Sequence, residues 1–116
     1  MLTEAQIEIA KAMTESQLQD NILAMAFKLG WLCYHTRAAM NKRGQWSSPL
    51  QGTPGFPDLI LARAGVVICR ELKSQKGKLT GTQQAWLEAM HPGCKLEALV
   101  WRPHDWLSGE VEALLR

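Results

Sequence analysis

The sequence predicts an α/β fold, a mixed central sheet flanked by helices, in the order helix, helix, three strands, helix, strand, helix. Three observations carry this expectation. Asp58 to Arg63 and Val66 to Leu72 are β-rich runs parted only by Ala64-Gly65, the pattern of an antiparallel hairpin. Thr3 with Gln6 and Thr14 with Gln17 each give the Thr-x-x-Gln form of a capping box, and each opens a helix. A helix begun by Thr80 or Thr82 and running to about Met90 precedes the apolar run Leu96 to Trp101, which a right-handed crossover sets parallel to the strand before it.

Taken in order, the first helix is short and the second longer. In the second, Leu18, Ile22, Met25, Ala26 and Leu29 share one face at three-and-four spacing, and Gly30 stops it. The echo of TEAQ in TESQ follows from common helix-start chemistry and marks no repeat. Trp31 to His35 reads as a short strand. Residues 36–57 then hold Gly44, Pro49, Gly52, Pro54, Gly55 and Pro57 with few aliphatic side chains, which reads as a long loop. Loops of about 20 residues in a compact domain are uncommon and are usually mobile or functional. The hairpin's second strand, Val66 to Leu72, is apolar enough to be central. Pro92-Gly93 ends the third helix, and Pro103 opens a last one.

A chain of 116 residues, 47% hydrophobic, suits one domain spanning 1–116 with one core. The formal net charge of +2 is too small to argue for nucleic acid by itself, so local clustering must make that case. Cys33, Cys69 and Cys94 are odd in number and widely spaced, which fits reduced, mostly buried thiols rather than a disulfide framework or a zinc site. No apolar run approaches the roughly 20 residues of a membrane span, and the amino terminus does not read as a signal peptide, so a cytoplasmic location is expected.

Glu71 and Lys73 are two apart on one strand, so both side chains leave the same face while Leu72 points to the other. Asp58 begins the neighbouring strand, where pairing brings its carboxylate toward that of Glu71. Two carboxylates near 4 Å repel by about 4 kcal/mol at an effective dielectric of 20, which calls for a cation. Oxygen ligands suit Mg²⁺ or Mn²⁺, cations that bridge to phosphate oxygens, so the expected reaction is hydrolytic phosphodiester cleavage with Lys73 orienting water or contacting phosphate. Arg37, Lys42 and Arg43, with Trp46 nearby, are candidates to grip phosphates and stack on a base, and Lys76 and Lys78 to bind backbone phosphate; a solvated loop is the alternative for each group. His35 is either a phosphate contact or a hydrogen-bonded structural histidine. Trp31, Trp86, Trp101 and Trp106 are expected to fill a core or an interface.

Gly55-Phe56-Pro57-Asp58 followed by Glu71-Leu72-Lys73 resembles the PD-(D/E)xK nuclease superfamily. More narrowly, ELKSQKGKLTGTQQAWL from Glu71 to Leu87, TES at Thr14, GW at Gly30-Trp31 and VWRPHDW ending at Trp106 are similar to the VRR-NUC family, nearest to its stand-alone, phage-type members. The resemblance covers about residues 13–106 and implies a restriction-endonuclease-like core. It implies metal ligation by Asp58, Glu71 and the Leu72 carbonyl, Lys73 as catalytic lysine, Glu15 as the helical acid completing the site, and Gln83 reaching toward the active site. For Glu15 the plain alternative is an acid complementing its helix dipole. The resemblance further implies a Mg²⁺- or Mn²⁺-dependent endonuclease acting on branched DNA such as Holliday junctions, as a homodimer, in a bacterial host cell and encoded by a phage or prophage. Two other classes of function compete with it: a branched-DNA-binding module without catalysis, and a partner protein in a phage replication or recombination complex.

Overall fold

The computed structural model describes residues 1–35, 39–40, 46–47 and 52–116, so Arg37, Lys42 and Arg43 lie outside the described residues. Its helices are α1 (Glu4–Ala12), α2 (Glu15–Lys28), α3 (Gly81–Met90), α4 (Pro103–Leu107) and α5 (Glu110–Leu115). Its strands are β1 (Leu32–His35), β2 (Ala39–Met40), β3 (Trp46–Ser47), β4 (Leu59–Arg63), β5 (Val66–Leu72) and β6 (Val100–Trp101).

The capping boxes form as the sequence requires. Thr3 and Thr14 accept from the backbone N–H of Gln6 and Gln17, whose side chains accept in return from the cap N–H groups. Thr80, not Thr82, caps α3 in the same way with Gln83.

The principal sheet is mixed, in the order β1-β4-β5-β6. β4 pairs antiparallel with both β1 and β5, and β6 lies parallel to β5, which is therefore interior. At the hairpin turn Ala64 (φ 50°) and Gly65 (φ 82°) are both left-handed, as a tight two-residue connection demands.

On one face Leu59, Leu61, Ile68, Leu72 and Trp101 meet Leu18, Ile22 and Ala26 of α2 and Val111 and Leu115 of α5 in a closed core. Trp31, one residue before β1, plugs this core as its aromatic bulk predicts, with its indole N–H on the Leu115 carbonyl at 2.8 Å and the Arg63 guanidinium 4.4 Å over its ring. On the opposite face Leu87 of α3 joins Leu99 and Val100 in a smaller cluster.

Four readings of the sequence are corrected. The run Leu96 to Trp101 is a strand only at Val100–Trp101, because Leu96 and Leu99, three apart, turn as a 3₁₀ helix so that both meet Leu87. The last helix is two, broken at Gly109 (φ 88°). Part of the long loop pairs, as the two short antiparallel strands β2 and β3. The thiols are not mostly buried: Cys33 lies on edge strand β1 and Cys94 in the turn after Pro92-Gly93, both exposed, and Cys69 is half-buried. All three are free. Among the described residues no helix is long and apolar enough to cross a membrane.

Candidate active site

The register that pairs Leu59 with Arg70 puts Asp58, one residue before β4, opposite Glu71 near the end of β5. The carboxylate of Asp58 reaches past its neighbour, with Oδ2 accepting from the Leu72 backbone N–H at 2.9 Å. Leu72 itself turns its side chain into the closed core.

Asp58 owes its position to a turn docked on α3. Trp86 of that helix donates its indole N–H to the carbonyls of Thr53 and Pro54, and Phe56 meets its ring edge-on at 5.0 Å. Gly55 (φ +100°) presses so close to α3 that a β-carbon there would stand 2.5 Å from the Thr82 carbonyl oxygen. Only glycine satisfies both the backbone angle and the contact.

Glu71 is 1% exposed. Its Oε1 accepts from Gln83 Nε2 at 3.0 Å, and Oε2 is buried with no partner. Gln83 thus does two things at once, because its Oε1 also accepts from the Thr80 N–H and so holds the α3 cap. Burial pushes the Glu71 carboxyl up to about 9; the neighbouring Asp58 carboxylate and the charge of Glu15 push the same way, and only Lys73 opposes them.

Lys73 leaves β5 on the same face and is also buried, its backbone N–H on the Trp101 carbonyl at 3.1 Å. Glu15 stands exposed in the first turn of α2 and reaches Glu71 through charge. Lys76 and Lys78 are exposed on the segment that follows Lys73. His35 finds a structural partner, with Nδ1 3.3 Å from Gln19 Nε2.

A hard divalent cation fits Asp58 and Glu71: two oxygen donors, one with an orphaned buried oxygen, in a place where negative charge is otherwise costly. Among the described residues, no group of three or more His, Cys, Asp or Glu side chains is drawn together around a single point. A cation held here would draw on the Asp58–Glu71 pair, with the charge of Glu15 acting at longer range. A cleft of about 410 Å³ between α1 and α2, lined by Ile9, Ala12, Met13, Gln17 and Asn21, carries none of these groups.

Gly55, Phe56 and Trp86 are positioning residues whose task the sequence reading missed. The signal for Gln83 was present as a third Thr-x-x-Gln box at Thr80, matching those at Thr3 and Thr14. No protein-family model, no curated protein and no solved structure matches this chain.

Proposed function

We propose that this chain is a metal-dependent DNA endonuclease of the VRR-NUC type, built on a restriction-endonuclease-like core and acting as a homodimer on branched DNA such as Holliday junctions. The observation that carries the reading is the half-buried Asp58 beside the buried Glu71, with the buried Lys73 on the same face. A fold gains nothing in stability from a carboxyl group held at about 9 with an unpartnered oxygen. Such a group is worth retaining where it ligates a cation. The sheet order, with a hairpin and a parallel strand reached through α3, is compatible with the core that the resemblance implies.

In this reading Asp58 and Glu71 hold Mg²⁺ or Mn²⁺ with the Leu72 carbonyl, and Glu15 adds negative charge at the rim. When bound, such a cation would supply charge neutralisation at the phosphate and would lower the pKa of a water beside it. Lys73 directs its ammonium at the non-bridging phosphate oxygens or at that water, where its charge matters most as the phosphorane develops. Gln83 fixes the rotamer of Glu71, a supporting role typical of groups just behind metal ligands. Lys76 and Lys78, with Arg37, Lys42 and Arg43, contribute phosphate contacts that position the strand without reading sequence.

The test is cleavage of a labelled four-way junction, a flap and a matched duplex, each with Mg²⁺, Mn²⁺ or chelator. Cleavage that needs the cation supports the reading, and paired cuts in the junction support the dimeric form. Lys73→Ala should lower turnover by about 10²- to 10⁴-fold with an unchanged melting temperature. Binding without cleavage under every condition would turn the conclusion to the non-catalytic module.

A further inference from the structure

Beyond Lys73 the chain enters a tight loop, and three separate contacts fix it. Arg102 donates from Nη1 to the carbonyls of Ser74 at 2.8 Å and Gly77 at 2.7 Å, while its other nitrogens meet Glu97 at 3.3 Å. The His104 backbone N–H donates to Gln75 Oε1 at 3.0 Å. Gly77 leaves little room for a side chain, since a β-carbon there would stand 3.0 Å from Ser74 Oγ and 3.4 Å from Lys73 Cδ. The loop is held against the stem of Lys73 by groups that themselves belong to the start of α4.

A cleft of about 200 Å³ opens beside this loop, lined by Lys11, Ser74, Gln75 and Lys76. Lys11 arrives from the last turn of α1, which packs against α4. Among the described residues its lining consists of two lysines, a serine and a glutamine, none of them acidic. With Gln75 Oε1 engaged by His104, the amide keeps its Nε2 as a donor. Lys11 meets Glu8 one turn back at 3.4 Å, and that pair is exposed on both sides. Exposed pairs of this kind contribute little and yield to a phosphate.

We propose that this cleft is a phosphate subsite, taking a backbone phosphate of the DNA strand that is cut at Lys73. The proposal rests on the nuclease reading of Asp58, Glu71 and Lys73, and it gives α1, which lies outside the stretch resembling the family, a part in substrate binding. Charge-assisted hydrogen bonds from Lys11 and Lys76, with neutral ones from Ser74 and Gln75, surround one phosphate from several sides. The subsite carries no sequence information and sets the register of the strand on the protein.

The experiment is fluorescence anisotropy of a labelled four-way junction and a labelled duplex with Ca²⁺ in place of Mg²⁺, over a salt series. It compares the parent with Lys11→Ala, Lys76→Ala and, as a control at the C-terminal end of α2 beside a different cleft, Lys28→Ala. Each of the first two variants should bind roughly 3- to 10-fold more weakly, with a logarithmic salt dependence shallower by about one ion, and Lys28→Ala should match the parent. If the parent binds and both cleft variants keep its affinity and salt dependence, the subsite is overturned while the nuclease reading stands. If the parent binds neither DNA, both are overturned together.

Discussion

The two faces of the sheet are built on different terms. On the face beneath α2 and α5, Leu59, Leu61, Ile68, Leu72 and Trp101 are matched by Leu18, Ile22, Ala26, Val111 and Leu115, with the guanidinium groups of Arg63 and Arg70 laid over the rings of Trp31 and Trp101. On the other face α3 covers only the end nearest β6, where Leu87, Leu99 and Val100 form a small cluster beside Glu71. Farther along that same face the aligned side chains of Leu32 and Val67 stay 78% and 67% exposed, and Tyr34 one pair away is 62% exposed. Burial therefore means different things on the two faces. On the first it contributes the hydrophobic free energy that holds the chain together. On the second it raises the energy of an ionised carboxylate and so creates a demand for a counter-charge.

The largest difference between the faces should come from truncation at Leu61, which is fully buried on the closed face. Leu61→Ala leaves a cavity there and is expected to cost about 2–5 kcal/mol, a large share of the stability of a domain this size. The urea midpoint should fall accordingly, while folded protein at low temperature keeps its turnover. A loss of turnover as large as that of Lys73→Ala, without a loss of stability, would show that the faces are not separable in this way.

Gly55→Ala should have a smaller effect on stability and a greater one on the site. A β-carbon 2.5 Å from the Thr82 carbonyl must displace either the Asp58 turn or the start of α3, on top of about 1–3 kcal/mol of backbone strain at φ +100°. The first movement shifts Asp58 against Glu71, and the second draws Gln83 away from it. Gly65→Ala makes the sharper comparison, since Gly65 has φ +82° but no atom within 4 Å of the added carbon. Turnover should fall for the first variant and hold for the second. Equal turnover in the two would mean that the contact with α3 does not set the site.

The closed face was legible in the sequence because its cause is local. The spacing of Leu18, Ile22 and Ala26 and the hairpin around Ala64-Gly65 are properties of neighbouring residues, and the same-face placement of Glu71 and Lys73 follows from strand geometry alone. The 3₁₀ turn at Leu96–Leu99 was not legible, because it is set by where Leu87 lies in space. The docking of Gly55 and Trp86, 31 residues apart in the chain, is likewise a tertiary fact that no window of sequence contains. The break at Gly109 was in principle readable, since a glycine after Ser108 is a common place for a helix to turn left-handed.

The most gradual expected change concerns the proton on Glu71, because it is spread over several pH units. Its carboxyl stands at about 9 against an ordinary value of 4.5, so between these limits the folded chain keeps a proton that the unfolded chain releases. The stability tied to this group is fully present below about pH 4.5 and declines as pH rises toward 9. One such proton gives a slope of at most about 1.4 kcal/mol per pH unit. Glu71→Gln cannot ionise, so its stability curve in chelator should lie flatter than the parent's over that window, with the two diverging as pH rises. Mn²⁺ competes with the proton for the same oxygens, and it should raise the parent's melting temperature more at pH 8 than at pH 5.5 and leave Glu71→Gln little changed. If parent and variant instead respond alike to pH and to Mn²⁺, neither the buried charge nor the cation belongs to Glu71, and the contrast between the faces is one of packing alone.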